Sequence, residues 1–224
     1  MTETQTFTPR SVHKVRRQYY GTIRGLEQVG DCTPIYQPQP ELVKWLEVNG
    51  KLMFANLHAL FRARGLLFNG EPGTGKTEGA KFVANYVGQP LYRMNIGALM
   101  SKWAGESEHN LEAALQQAEN CAPCILLFDE VEKLFKVGDD GGVSTRLLAT
   151  MLWWLSEHKA KVFTVMTTNE YAVIPPELVR PGRIDKVMNF PLVPYTEIDT
   201  FVSAVAQILA PVHVLPEWRL QGLI

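Results

Sequence analysis

The sequence has little cysteine, almost no net charge and no long apolar run, and each shortage closes off a class of function. Three cysteines in 224 residues are too few, and odd in number, for a disulfide framework. Cys121 and Cys124 form a CxxC, but no second CxxC or His pair stands at zinc-ligand spacing. Packing of small apolar residues at a helix end and a strand entry is their expected role. A formal charge of −1 gives no global attraction to nucleic acid or to an anionic membrane, so such a partner would need a local patch. The densest apolar stretch of the C-terminal half, Leu147 to Leu155, is short and interrupted by Thr150, and the N-terminus lacks the apolar region of a signal peptide. A cytoplasmic protein without a membrane span is expected. What is present, 46% hydrophobic and 20% charged residues, is enough to bury a sizeable core.

Residues 1–40 read as an N-terminal basic arm and linker. Arg10, His13, Lys14, Arg16 and Arg17 show no apolar period, which suits a solvated arm or a contact to nucleic acid or a subunit. Pro34, Pro38 and Pro40 then favour extended chain before a helical pattern from Glu41 to Leu60.

The informative stretch begins at Leu66-Leu67-Phe68, an apolar run followed by Gly70-Glu71-Pro72-Gly73-Thr74-Gly75-Lys76-Thr77. A strand, a Gly-rich octapeptide ending in Lys-Thr and a helix are the setting of a P-loop. Glycines let successive N–H groups surround phosphate oxygens, and the following helix (Lys76 to Val87) points its positive end at them. Pro72, Gly73, Thr74, Gly75, Lys76, Thr77 and Glu78 are therefore candidate nucleotide-binding residues. Lys76 is expected to reach the β- and γ-phosphates, and Thr77 to hold Mg²⁺.

Strands at Leu91 to Asn95, Ile125 to Phe128 and Val162 to Met166 alternate with a helix at about Asn110 to Asn120. That order predicts an α/β fold: a parallel sheet sandwiched between helices. Ile125-Leu126-Leu127-Phe128 is apolar at every position, as a strand covered on both faces should be, and it ends in Asp129-Glu130. Two carboxylates at that tip, 129 − 76 = 53 residues after Lys76, read as a Walker B signature. Asp129 would belong to the Mg²⁺ shell, and Glu130 would act as general base on the attacking water. The next strand finishes at Thr167-Thr168-Asn169, where an amide is in a position to bond the γ-phosphate or the water.

With these motifs the chain resembles an AAA ATPase of the AAA+ superfamily over roughly residues 65 to 192. The resemblance implies that Asn169 is the sensor 1 residue. It also implies that Arg180 and Arg183, in Ile174-Pro175-Pro176-Glu177-Leu178-Val179-Arg180-Pro181-Gly182-Arg183-Ile184-Asp185, are arginine fingers acting on the neighbouring subunit's ATP. Lys102-Trp103-Ala104-Gly105-Glu106-Ser107-Glu108 is similar to the family's aromatic pore loop, with Trp103, Ala104 and Gly105 as the gripping residues. A second pore loop is expected at Val137 to Arg146, where Arg146 faces either the channel or the next subunit. The core is assigned to 41–193. Residues 194–224 are expected to form an abbreviated helical lid, because only 30 residues follow Pro194 where the family has a longer one. No sensor 2 arginine has a supporting motif; Arg219 is the late candidate.

The resemblance implies ATP and Mg²⁺ as cofactors and a homo-oligomer, expected to be a hexamer. The leading expectation is ATP hydrolysis by such a ring, coupled to remodelling or threading of a protein substrate or complex. The alternative is a nucleic-acid-associated AAA+ ATPase of helicase-loader or transposition-regulator type, which the basic arm and short lid favour. A nucleotide-gated scaffold is disfavoured by Glu130 and the two arginines.

Overall fold

In the computed structural model the described residues are 25–34, 38–55, 62–99, 106–135, 142–192 and 202–203. The elements are β1 (Leu26–Val29), α1 (Pro40–Asn49), β2 (Gly65–Asn69), α2 (Lys76–Val87), β3 (Leu91–Met94), α3 (Ile96–Leu99), α4 (Glu106–Asn120), β4 (Cys124–Phe128), α5 (Val143–Glu157), β5 (Val162–Thr168) and β6 (Lys186–Asn189). A 3-10 turn, Val131–Leu134, follows β4. The pore-loop residues Trp103, Ala104 and Gly105, residues 137–141 of the second expected pore loop, the basic arm and nearly all of 194–224 lie outside the described residues. Among the described residues, no helix is long and apolar enough to cross a membrane.

The strands form one sheet in the order β1-β3-β4-β5-β2-β6. Every pairing is parallel except β1 against β3. Every residue of β4 and β5 is buried, because helices cover both faces and leave no side that tolerates polar alternation. Odd and even strand positions feed separate cores. Leu67, Leu126, Phe128 and Met166 join Leu111 and Ala114 of α4 and Leu147 and Met151 of α5. Leu66, Phe68, Ile125, Leu127, Phe163 and Val165 join Leu42 and Leu46 of α1 and Ala80 and Val83 of α2. The expected α/β architecture is therefore the observed one.

Three details differ from the sequence reading. The stretch read as arm and linker contributes β1, whose Leu26 pairs with Met94 and Val29 with Leu91 at the sheet edge. The sheet thus begins before residue 41. Within the helical pattern from Glu41 to Leu60, the described residues form helix over Pro40–Asn49 and then turn through 50–55, with Pro40 in the first turn, where a missing N–H costs nothing; residues 56–60 lie outside the described residues. The helix around Asn110 starts earlier, at Glu106. Cys121 follows α4 and Cys124 opens β4, where its thiol donates to Ala118 O at 3.4 Å and burial pushes its pKa up to about 12.

The C-terminus of α5 is closed by Arg64, whose Nη1 donates to the carbonyls of Leu155, Ser156 and His158 at 2.8, 3.1 and 3.3 Å. A cation at that end satisfies orphan carbonyls and complements the helix dipole. His158 stacks on Trp154, ring centroids 4.3 Å apart, and is buried with neither ring nitrogen hydrogen-bonded among the described residues. Burial, reinforced by the Arg64 charge, pushes the imidazole pKa down to about 4. The unfolded chain therefore binds the proton more readily, so stability present above pH 6.5 is lost as pH falls towards 4. We expect a loss of up to about 3 kcal/mol over that window. Chemical denaturation at a series of pH values, with His158→Phe as the variant that flattens the profile, checks it.

Candidate nucleotide-binding and hydrolytic site

Gly70 to Gly75 connect the C-terminal end of β2 to α2. A Cβ at Gly70 would stand 2.2 Å from the carbonyl oxygen of Phe190, so only glycine allows the two backbones to approach this closely. Gly75, at φ 86 and ψ 18, is the left-handed residue that turns the loop into α2. Lys76 is almost fully buried, and its Nζ donates to the carbonyls of Gly70 and Glu71 at 2.6 and 2.7 Å. Its amine thus curls back into the loop. Burial pulls the Lys76 pKa below the usual range, opposed by the charges of Glu132, Asp129, Glu130 and Glu71.

The carboxylates come from the end of β4. Asp129 Oδ1 accepts from Thr77 Oγ1 of α2 at 3.2 Å and from Thr167 Oγ1 of β5 at 2.7 Å. Thr167 Oγ1 in turn accepts from the Glu130 backbone N–H at 2.9 Å. Glu130 is the one non-glycine described residue with positive φ, at 56°. That backbone is costly for a residue with a side chain, and such strain is found where a side chain must be aimed. Its carboxylate meets Lys133 in an ion pair and accepts from Asn169 Nδ2 at 3.4 Å. The hydrogen bond from Lys133, more than any other contact, holds the Glu130 pKa below the ordinary carboxylate value.

The structure thus brings Lys76, Thr77, Asp129, Glu130 and Asn169 together at the C-terminal ends of β2, β4 and β5, the side where open α/β sheets bind ligands. Glu78 instead pairs with Lys81 at 2.5 Å. Arg180 and Arg183 lie elsewhere. The Arg183 carbonyl is close to where a Cβ on Gly65 would stand, at 2.9 Å, and Gly65 opens β2. The P-loop begins at the far end of that strand, a run of five residues, or about 17 Å at the usual rise. Arg183 donates to Ser156 Oγ at 2.8 Å and to Glu177 O at 2.7 Å. Arg180 is exposed, with no hydrogen bond from its side chain to a described residue. Arg146, expected to face a channel or a neighbour, forms an ion pair with Glu108 of its own chain.

Residues 66–192 match the model of the family described as "ATPase family associated with various cellular activities (AAA)". The chain belongs to the AAA family. The matched region carries the P-loop, both β4 carboxylates, Asn169 and the two arginines of this AAA chain. It is 35% identical over 175 residues to "Uncharacterized AAA domain-containing protein ycf46" of Guillardia theta, covering 76% of this chain and 33% of that protein. To the protein of the same name from Trieres chinensis it is 41% identical over 136 residues, 59% of this chain and 27% of the relative. The AAA chain therefore matches only about a third of the length of these curated relatives.

Sequence reasoning gave no role to Thr167, Glu132 or Lys133. The signal for Thr167 was a hydroxyl in a strand otherwise rich in apolar residues, but Thr164 carries the same signal. Of these two, Thr167 is bonded, whereas Thr164 Oγ1 is buried with no hydrogen-bond partner among the described residues. Thr167→Val should therefore cost about 1–3 kcal/mol, since it leaves the Glu130 N–H and Asp129 Oδ1 short of a partner, whereas Thr164→Val should be neutral or stabilising. Equilibrium denaturation of the two variants side by side checks this difference.

Proposed function

We propose that this chain hydrolyses ATP as part of an oligomeric AAA ring, hexameric in our reading, and couples turnover to remodelling or threading of a protein substrate or complex. The observation that carries the hydrolytic part is the convergence of Lys76, Thr77, Asp129, Glu130 and Asn169 on one edge of the sheet. Thr77 and Asp129 fit Mg²⁺: they offer a hydroxyl and a carboxylate oxygen 3.2 Å apart, the hard donors that cation takes in small number from protein. When bound there, Mg²⁺ would supply positive charge that offsets the charge developing on the phosphates.

In this account the P-loop N–H groups cradle the phosphates, and Lys76 exchanges the carbonyls of Gly70 and Glu71 for phosphate oxygens. Glu130 leaves Lys133, orients water in line with the γ-phosphorus and takes its proton. Asn169 donates its amide to the γ-phosphate or to the same water. Arg180 and Arg183 act in trans, a reading supported by their position at the opposite end of β2 from the chain's own P-loop. Arg180 has no side-chain bond to a described residue to break first, while Arg183 must leave Ser156 and Glu177. A guanidinium fork brought to the transferring phosphoryl group can contribute about 10³ to 10⁵ in rate.

The protein-remodelling half rests on Trp103-Ala104-Gly105, where a large ring beside a glycine suits sequence-tolerant grip. A nucleic-acid-associated ATPase is the second reading, favoured by the Arg10 to Arg17 cluster. Glu130→Gln is expected to bind ATP with affinity within a few-fold of wild type while turnover falls by at least about 100-fold. Unchanged turnover would remove Glu130 from the mechanism. Sedimentation of that variant with ATP and Mg²⁺ separates the two readings. Closed oligomers of fixed size without DNA support the protein-remodelling ring, and heterogeneous assemblies that appear only with DNA support the second.

A further inference from the structure

Glu132 stands two residues past the general-base candidate, on the 3-10 turn that follows β4. It is 4% exposed, and a carboxylate so deeply buried is rare unless neighbouring groups compensate it. Its Oε1 accepts two hydrogen bonds from one residue, the backbone N–H of Asn169 at 3.3 Å and the side-chain Nδ2 of Asn169 at 3.2 Å. Its Oε2 is buried with no hydrogen-bond partner among the described residues. A fold that served stability alone would fill this place with an apolar side chain or a fully bonded one.

We propose that Glu132 is a positioning residue of the hydrolytic site, a buried carboxylate that fixes which end of the Asn169 amide faces the reacting phosphate. The assignment rests on the ATPase reading above. Asparagine can present either a carbonyl or an NH₂ group, and the two are alike in shape. The Glu132 Oε1 atom accepts, so it draws the NH₂ end inward, and the bond from the Asn169 backbone anchors the tip of β5 against the same oxygen. Nδ2 has two hydrogens. In this structure one is directed to Glu132 and the other to Glu130, at 3.2 and 3.4 Å. When Glu130 turns to hold water, its longer bond to the amide is given up. Glu132 keeps the nitrogen in place, and the released N–H is aimed at the γ-phosphate or the water. Without Glu132 the amide is free to flip, and the site would lose geometry rather than nucleotide.

The test is a double-mutant cycle between positions 132 and 169 in the full chain, with ATP turnover, nucleotide affinity and thermal stability read together. Glu132→Ala should lower kcat by about 10- to 100-fold, the scale of a small misplacement of a catalytic group, with ATP affinity kept. The double variant with Asn169→Ala should turn over no more slowly than Asn169→Ala alone. Glu132→Gln retains an acceptor oxygen and should recover most of the lost kcat. In ¹⁵N-labelled protein the Asn169 carboxamide resonances, identified by their absence in Asn169→Ala, should move in Glu132→Ala and return towards wild type in Glu132→Gln. Multiplying losses, equal damage from Ala and Gln, or a joint fall of affinity, kcat and stability would each overturn the assignment. If the wild-type chain released no phosphate, the ATPase reading would fail separately, and unmoved Asn169 resonances in Glu132→Ala would still overturn the positioning role.

Discussion

Asp129 Oδ1 is the atom on which the site depends. It accepts from Thr77 at the start of α2 and from Thr167 near the end of β5, and so joins P-loop, central strand and neighbouring strand at one oxygen. Thr167 extends the joint by accepting from the Glu130 N–H, and the left-handed turn at Glu130 then aims the next carboxylate. A charged acceptor makes these bonds stronger than neutral ones. Three segments far apart in sequence are thereby held in register, which is the condition for catalysis by positioning.

The sheet supplies the rigidity behind that joint. β4 and β5 are buried on both faces, each alternate row packed into a different core, and a strand clamped in this way cannot slip register without moving every apolar side chain to the wrong face. The tips of these strands are therefore fixed points. By contrast, two of the groups expected to move, Lys133 and Glu130, are partly exposed, and the buried Lys76 amine is held by two loop carbonyls that it can exchange. Chemistry is assigned to the mobile ends of side chains, and precision to the backbone beneath them.

Much of this was legible in the sequence because local rules govern it. The Gly-rich octapeptide after an apolar run, the all-apolar Ile125 to Phe128 ending in two acids, and the strand ending at Asn169 each carry their signal within a few residues. β1 was hidden for the opposite reason: it is four residues long, none of them buried, and antiparallel pairing with β3 is what makes it a strand. β6 is similarly short and half-covered. The roles of Thr167 and Glu132 could not be read because each depends on β4 and β5 lying side by side. In sequence, Thr164 and Thr167 look alike, and Glu132 looks like a solvated charge on a helix. The arginines illustrate the same limit, since only the fold reveals that Gly65 and Gly70 put them and the P-loop at opposite ends of β2.

Under the proposed function, that separation means that one chain holds the parts that bind and attack ATP and a second chain completes the site. Release of phosphate from ATP and Mg²⁺ by the unmodified chain, followed over a wide range of protein concentration, tests it most directly. The specific rate of turnover should climb with protein concentration and disappear when Mg²⁺ is chelated. Phosphate release at the same specific rate from dilute, monomeric protein, or none at any concentration from protein that binds ATP, would contradict it.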